Sequence, residues 1–191
     1  MKNFMPIGKV DVQPLIDALN QYPELWNLNT LRTTHDQSPH TQVQDIWIRF
    51  NEIAEDSTRQ SLLDDKESIW YGSASVLPVR EYIYRLAHDV FADRIGRIII
   101  TKMAPGTKID PHVDMGGPAT YYQRFHIAIQ SKDGQVFKCG DEAFTPETGD
   151  VYAVNNSLEH SVENNSDVDR LTMIIDLRTP FLEELKKTIE E

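Results

Sequence analysis

Gln123-Arg124-Phe125-His126-Ile127-Ala128-Ile129-Gln130 alternates with the period of two that marks a β-strand, Arg124 and His126 on one face and Phe125 and Ile127 on the other. Lys132-Asp133-Gly134-Gln135 follows as a turn signal, predicting a hairpin that joins this strand to Val136–Lys138. Working outward, Arg97–Met103 is β-branched and apolar, and the turn Thr148-Gly149-Asp150 leads into Val151–Val154. The polar segment Asn164–Asp169 precedes a further apolar strand, Leu171–Leu177. Many short strands separated by turns predict a β-sandwich or small barrel.

The first half of the chain is mixed. Pro14 opens a helix with Leu15, Ile16, Ala18 and Leu19 on its apolar side. Thr33–Gln44 reads as a polar loop, and Ile46, Ile48 and Phe50 alternate with Trp47 and Arg49 as a strand. Thr58–Lys66 is polar and acidic, an exposed segment. Pro78 precedes a second helix carrying Tyr82, Leu86, Val90 and Phe91 at helical spacing. Pro180–Glu191 reads as a short amphipathic helix with Phe181, Leu182, Leu185 and Ile189 inward. The 191 residues suit one domain, in which residues 1–96 pack on a β core at 97–178 and the helix at 180–191 completes it.

Composition narrows the class. Hydrophobic residues are 40% and charged residues 26%, the balance of a globular protein. A formal charge of −11 without a concentrated basic patch repels phosphate backbones and argues against nucleic acid as partner. No apolar run approaches the ~20 residues of a membrane span, and Met1–Val10 lacks the apolar core of a secretory signal. The single cysteine, Cys139, forms no internal disulfide, so the expectation is a cytoplasmic protein without membrane association.

His112-Val113-Asp114 is the first chemical signal. In extended backbone, residues two apart point to the same side, so one imidazole and one carboxylate face a common point. A third ligand is available in His160, 46 residues beyond Asp114, where strand-forming residues resume. Two imidazoles and a carboxylate on one face make the triad of non-haem Fe(II) oxygenases, with positions left open. The bland alternative makes His112 the end of a loop, Asp114 a turn cap and His160 an ordinary strand histidine.

Arg170 adds weight. It stands ten residues after His160 at the start of an apolar strand, where a guanidinium needs an anionic partner. A dicarboxylic co-substrate meets that need, and so would an internal pair with Asp150, Asp167 or Asp176. Arg124 and His126, if they face inward beside the triad, would bind the carboxylate nearest the metal; on a solvent face they would be ordinary polar residues. His40 and Arg49 are candidates to bind a substrate carboxylate, against the plainer reading of a loop histidine and a paired surface arginine.

Taken together these residues resemble the aspartyl/asparaginyl β-hydroxylase family of 2-oxoglutarate oxygenases. The similarity runs collinearly through Pro105-Gly106-Thr107-Lys108-Ile109-Asp110-Pro111-His112, Arg124-Phe125-His126-Ile127-Ala128-Ile129, Gly149-Asp150-Val151-Tyr152, Asn156-Ser157-Leu158-Glu159-His160-Ser161-Val162, Arg170-Leu171 and Asp176-Leu177. The resemblance implies a double-stranded β-helix of the cupin (jelly-roll) type, mainly β with flanking helices, with iron between its sheets. It implies His112 and His160 as iron ligands, Arg170 as the anchor for the distal carboxylate of 2-oxoglutarate with Thr101 assisting, and Arg124 and His126 near the metal-bound end of that co-substrate. Vertebrate-type members carry Gly at the position of Asp114, whereas the carboxylate here is that of proline-hydroxylase-like relatives. That difference points away from folded epidermal-growth-factor-like domains as substrate.

The activity implied is hydroxylation of an amino acid, or of an Asp, Asn or Pro side chain within a peptide, coupled to conversion of 2-oxoglutarate to succinate and CO2. Two readings of another kind are a cupin-like module that binds a small anion without turnover, and a metal-dependent cupin enzyme that does not use 2-oxoglutarate.

Overall fold

The alternating stretch forms the strand β6 (Gln123–Gln130) near the middle of a seven-stranded antiparallel sheet in a computed structural model that describes residues 2–54, 56–63 and 67–180. Its sheet-mates are β1 (Phe4–Lys9), β2 (Val43–Asn51), β3 (Ser68–Trp70), β4 (Arg94–Met103), β9 (Asp150–Val154) and β11 (Arg170–Arg178), in the order β1-β9-β6-β11-β4-β2-β3. A second sheet holds β5 (Lys108–His112), β7 (Gln135–Cys139), β8 (Glu142–Phe144) and β10 (His160–Asn164), in the order β5-β10-β7-β8. From β4 to β11 the chain passes back and forth between the sheets, which makes the core a double-stranded β-helix.

The turn after β6 differs from the sequence expectation. Gly134 takes a left-handed φ of 93° and Gln135 N–H donates to the Lys132 carbonyl at 3.1 Å, so the turn itself forms. It joins no hairpin, because β6 pairs with β9 and β11 while β7 pairs with β8 and β10. A turn signal reports local backbone geometry, and the strand's partners are chosen by long-range burial.

Alternation sorts the large sheet into two faces. Outward, Ile98, Ile100, Phe125, Ile127, Met173, Ile175 and Leu177 build the main core with helix α1 (Gln13–Gln21), which buries Leu15 and Leu19. Three short helices, α2 (Leu31–Thr34), α3 (Arg59–Leu63) and α4 (Ser73–Val76), precede α5 (Val79–Asp89), which adds Val79, Ile83 and Leu86 to the same core. Phe91 does not extend that stripe: it follows the helix end at a positive φ of 53° and is 66% exposed. The inner face meets the small sheet across Phe4, Met103, Ile109, Phe137, Tyr152 and Val162, closing one end of the barrel.

Strand β2 carries a bulge between Trp47 and Arg49, so Ile46 and Ile48 join the outer core while Trp47 and Phe50 turn inward with Leu62 and Ile99. Leu62 lies in α3, so the segment read as exposed supplies part of the barrel's open end. The division at residues 96 and 97 falls inside β4, and β1, β2 and β3 are members of the large sheet. The expected C-terminal helix lies outside the described residues. No helix among the described residues is long and apolar enough to cross a membrane.

Candidate metal centre

His112 ends β5 and His160 begins β10, and the two are direct partners in the antiparallel pairing. Cross-strand partners present their side chains on the same face. Their ring centroids are 4.4 Å apart. Each ring places Nδ1 against a backbone carbonyl two residues earlier, His112 on Asp110 at 2.8 Å and His160 on Leu158 at 2.9 Å. A proton held there leaves each Nε2 as a bare lone pair, the tautomer a metal requires.

Asp114 follows on a loop that leads to helix α6 (Gly117–Tyr121). Its Oδ1 is 3.8 Å from His112 Nε2 and its Oδ2 is 3.8 Å from His160 Nε2. Two donors that each stand about 2 Å from one ion are no more than about 4 Å apart, a limit these spacings meet. His112, Asp114 and His160 are the metal-capable cluster among the described residues, their donor atoms all within 4.8 Å of one another. Burial pushes the His112 imidazole towards its neutral form, and the neighbouring His160 adds to that shift. Burial alone would raise the Asp114 carboxyl, but the charge of Arg124 holds it below the usual carboxylate range. Neutral imidazoles and an ionised carboxylate are the states that ligate.

Arg124 faces inward and is held by two of the chain's carboxylates. Its Nε donates to Asp176 Oδ1 at 2.9 Å, its Nη2 to Asp176 Oδ2 at 3.2 Å, and its Nη1 to Asp114 Oδ2. This fork matches a carboxylate bidentately. Each of its three nitrogens thus meets one of the chain's own carboxylates, and the residue links Asp114 to Asp176. His126 does face inward beside it, as the alternation of β6 required. Its ring stacks on Phe137 at 5.3 Å, its Nδ1 is 3.3 Å from the Tyr152 hydroxyl, and burial drives it strongly to the neutral form.

Arg170 opens β11 and is 3% exposed. The three carboxylates that could have paired with it serve others: Asp150 faces Lys9, Asp167 faces Lys132, and Asp176 faces Arg124. Arg170 instead interacts with the Tyr152 hydroxyl, which burial pushes up to about 12, and its guanidinium lies 6.0 Å from the Phe137 ring. Although consecutive in sequence order, β10 and β11 belong to opposite sheets, so His160 and Arg170 stand on different walls of the barrel instead of along one sheet. Thr101 is buried opposite Thr172 in β11, one inward position along from Arg170.

The donor set fits a metal ion, and further polar atoms stand ready around it. Buried polar atoms without a partner in the structure include His112 Nε2, His126 Nε2 and Arg170 Nη2. Natural proteins leave few such atoms unpaired, and these three, His112 on the small sheet and His126 and Arg170 on the large one, mark a place for a polar guest in the barrel's interior. A cavity of about 470 Å³ opens over His112 and Asp114, walled by His40, Phe50, Leu62, Ile99 and Ile174 among others.

Sequence reasoning missed part of this surround. His40 borders the cavity, edge-on to His112 at 5.1 Å, but Arg49 lies elsewhere, its Nε on the Ile95 carbonyl at 3.2 Å and its guanidinium near Trp70. Arg32 gave no local signal, and Asp45 and Tyr152 lay in segments that the sequence pointed to without showing their roles, because each acts on a residue distant in sequence. For Tyr152, its alternation with Val151 in a strand would have indicated an inward side chain.

Known proteins share the chain's family and fold. The family profile described as aspartyl/asparaginyl beta-hydroxylase matches residues 75–180. Aspartyl/asparaginyl beta-hydroxylases of Mus musculus and Homo sapiens are each 34% identical over 90 residues, covering 47% of this chain. The match spans only 12% of the length of each of these curated relatives. A solved structure described as an oxidoreductase of the 2OG-Fe(II) oxygenase family, from Burkholderia pseudomallei, superposes with a TM-score of 0.53. That superposition covers 90% of this chain and 93% of the other at 16% identity, and so speaks for the fold.

Proposed function

Because the chain belongs to the aspartyl/asparaginyl β-hydroxylase family, we propose that it is an Fe(II)- and 2-oxoglutarate-dependent dioxygenase that hydroxylates an amino acid or an amino-acid side chain in a peptide. The observation that carries this reading is the convergence of His112, Asp114 and His160, two of which border the cavity, in a barrel that also holds the carboxylate-free Arg170.

In this reading His112 and His160 hold the metal through Nε2 and Asp114 holds it through one carboxylate oxygen, the facial set that leaves positions open. Iron with 2-oxoglutarate supplies oxygen activation coupled to oxidative decarboxylation, releasing succinate and CO2. The chain supplies placement. Arg170 and Thr101 receive the distal carboxylate, His126 donates to or accepts from the co-substrate nearer the metal, and the Arg124–Asp176 fork keeps Asp114 aimed. Phe137 and Tyr152 line this slot with apolar surface that keeps water away. The cavity over the metal takes the substrate. A reducing, cytoplasmic setting suits a ferrous site and a protein with one buried thiol. The acidic surface disfavours nucleic acid as partner.

Two measurements test the reading. With Fe(II), ascorbate and 2-oxoglutarate in air, succinate release should rise above background when amino acids or short peptides are added. Arg170→Met should lose co-substrate affinity while retaining metal. Unchanged 2-oxoglutarate binding in that variant would argue for a metal cupin that uses no such co-substrate.

A further inference from the structure

The cavity is more cationic than the chain that contains it. The protein carries a formal charge of −11, yet Arg32, Arg59, Arg97 and Arg124 all border this one space. Two of the four are held by several hydrogen bonds each. Arg124 is held by Asp114 and Asp176. Arg97 donates from Nε to Asn51 Oδ1 at 2.9 Å and from Nη2 to the Leu62 carbonyl at 2.6 Å, and covers the Phe50 ring at 4.6 Å.

Arg32, on α2, is different. Its Nη1 donates to Asp45 Oδ2 at 2.8 Å, and among the described residues its guanidinium makes no other hydrogen bond. A guanidinium has five N–H donors, so most of this one is free to face the cavity it borders. Asp45 sits on β2 opposite Thr101 with a fully buried side chain, and its Oδ1 has no partner at all. A buried ion pair so poorly satisfied is a weak stabilising device, since apolar residues of similar volume would serve as well or better. What the pair does achieve is to pin a cation at the wall. Arg32 borders the same cavity as His112 and Asp114, so a ligand seated there meets both the cation and the metal cluster. His40 adds a second polar atom, a buried Nδ1 without a partner.

Phe50, Leu62, Ile99 and Ile174 form an apolar stretch of this wall, beside the polar Gln37, Ser38, Arg59 and Arg97. Arg32, His40, Asp45, Phe50 and Leu62 all precede residue 75, where the family match begins, so this end of the cavity is outside what the family resemblance describes.

Resting on the oxygenase reading above, we propose that Arg32, positioned by Asp45, binds a carboxylate of the substrate, and that the adjoining wall receives a hydrophobic body. The substrate class is then a small carboxylic acid with an apolar skeleton, apolar amino acids included. The acid end lies against Arg32, and the apolar carbons lie between it and the metal.

The test uses two probes that share one skeleton, 4-methylpentanoate and 4-methylpentan-1-ol. Calorimetric titrations are run anaerobically on the full chain loaded with Fe(II). 2-Oxoglutarate is titrated first, which reports on the oxygenase reading by itself, and each probe is titrated afterwards. Wild-type protein should bind the acid about ten-fold or more tightly than the alcohol, as expected for a charge-assisted hydrogen-bonded pair. Arg32→Met should erase that preference, leaving alcohol and 2-oxoglutarate affinities unchanged, and Arg32→Lys should restore part of it. Because Arg32→Met strands the buried Asp45, the double variant R32M/D45N is measured alongside and should behave alike. No binding of the acid by wild type, an intact preference in both Arg32→Met backgrounds, or loss of preference in Arg59→Gln instead would overturn the proposal.

Discussion

At the scale of single residues, the unusual member is Arg170. A buried cation without a carboxylate costs stability until an anion arrives. Arg170→Met should therefore leave the unfolding midpoint of the ligand-free protein unchanged or raised, while weakening 2-oxoglutarate binding by about 10- to 100-fold. A thermal melt with and without 2-oxoglutarate checks both, and a large loss of ligand-free stability would count against the unpaired state. Asp176 stands in the opposite position. It holds Arg124 with both oxygens from 3% side-chain exposure, so Asp176→Asn should cost on the order of 3 kcal/mol and loosen Asp114. Denaturant unfolding and metal titration measure the two effects. The sequence disclosed the triad and Arg170 because those side chains are rare in apolar strands and carry a distinctive spacing. It did not disclose that Asp176 and Asp114 would share Arg124, because carboxylates 62 residues apart give no joint pattern.

At the scale of elements, two features fix the centre. One is the antiparallel pairing of β5 with β10, which makes His112 and His160 partners. The other is the loop from Asp114 to α6, which turns at Gly116 with a φ of 93°. A Cβ there would stand 2.7 Å from the Leu63 carbonyl oxygen, a backbone atom of α3. Gly116→Ala is thus strained in both backbone and space, and should cost about 1–3 kcal/mol and weaken metal binding by displacing Asp114. Measured stability and metal affinity equal to wild type would show that the loop adapts freely. Strands with clean alternation, β6 and β11, were legible in the sequence. The β6–β7 hairpin was not, since the same turn serves a hairpin or a crossing between sheets, and the bulge in β2 was hidden because Trp47 is apolar on either face. Segment 58–63 read as solvent-facing because its one buried apolar residue, Leu62, is outnumbered by polar neighbours.

At the scale of the whole molecule, the barrel keeps three histidines neutral. His40, His112 and His126 are all shifted down, with burial the first cause in each. The unfolded chain takes up protons as pH falls below about 6.5, the ordinary imidazole value, while the folded chain does not. Stability of the metal-free protein should therefore be full above that value and decline as pH falls through it, by up to about 1.4 kcal/mol per pH unit for each histidine. Melts across this range test the sign, and a midpoint that rises on acidification would contradict it. The central claim concerns the convergence of both sheets on one ion and one co-substrate. Its most direct test is an anaerobic crystal structure of the protein with Fe(II) and 2-oxoglutarate. The expected result is one ion about 2.0–2.2 Å from His112 Nε2, His160 Nε2 and an Asp114 oxygen, with the distal carboxylate on Arg170. An ion bound elsewhere, or a carboxylate that leaves Arg170 unpaired, would contradict the account.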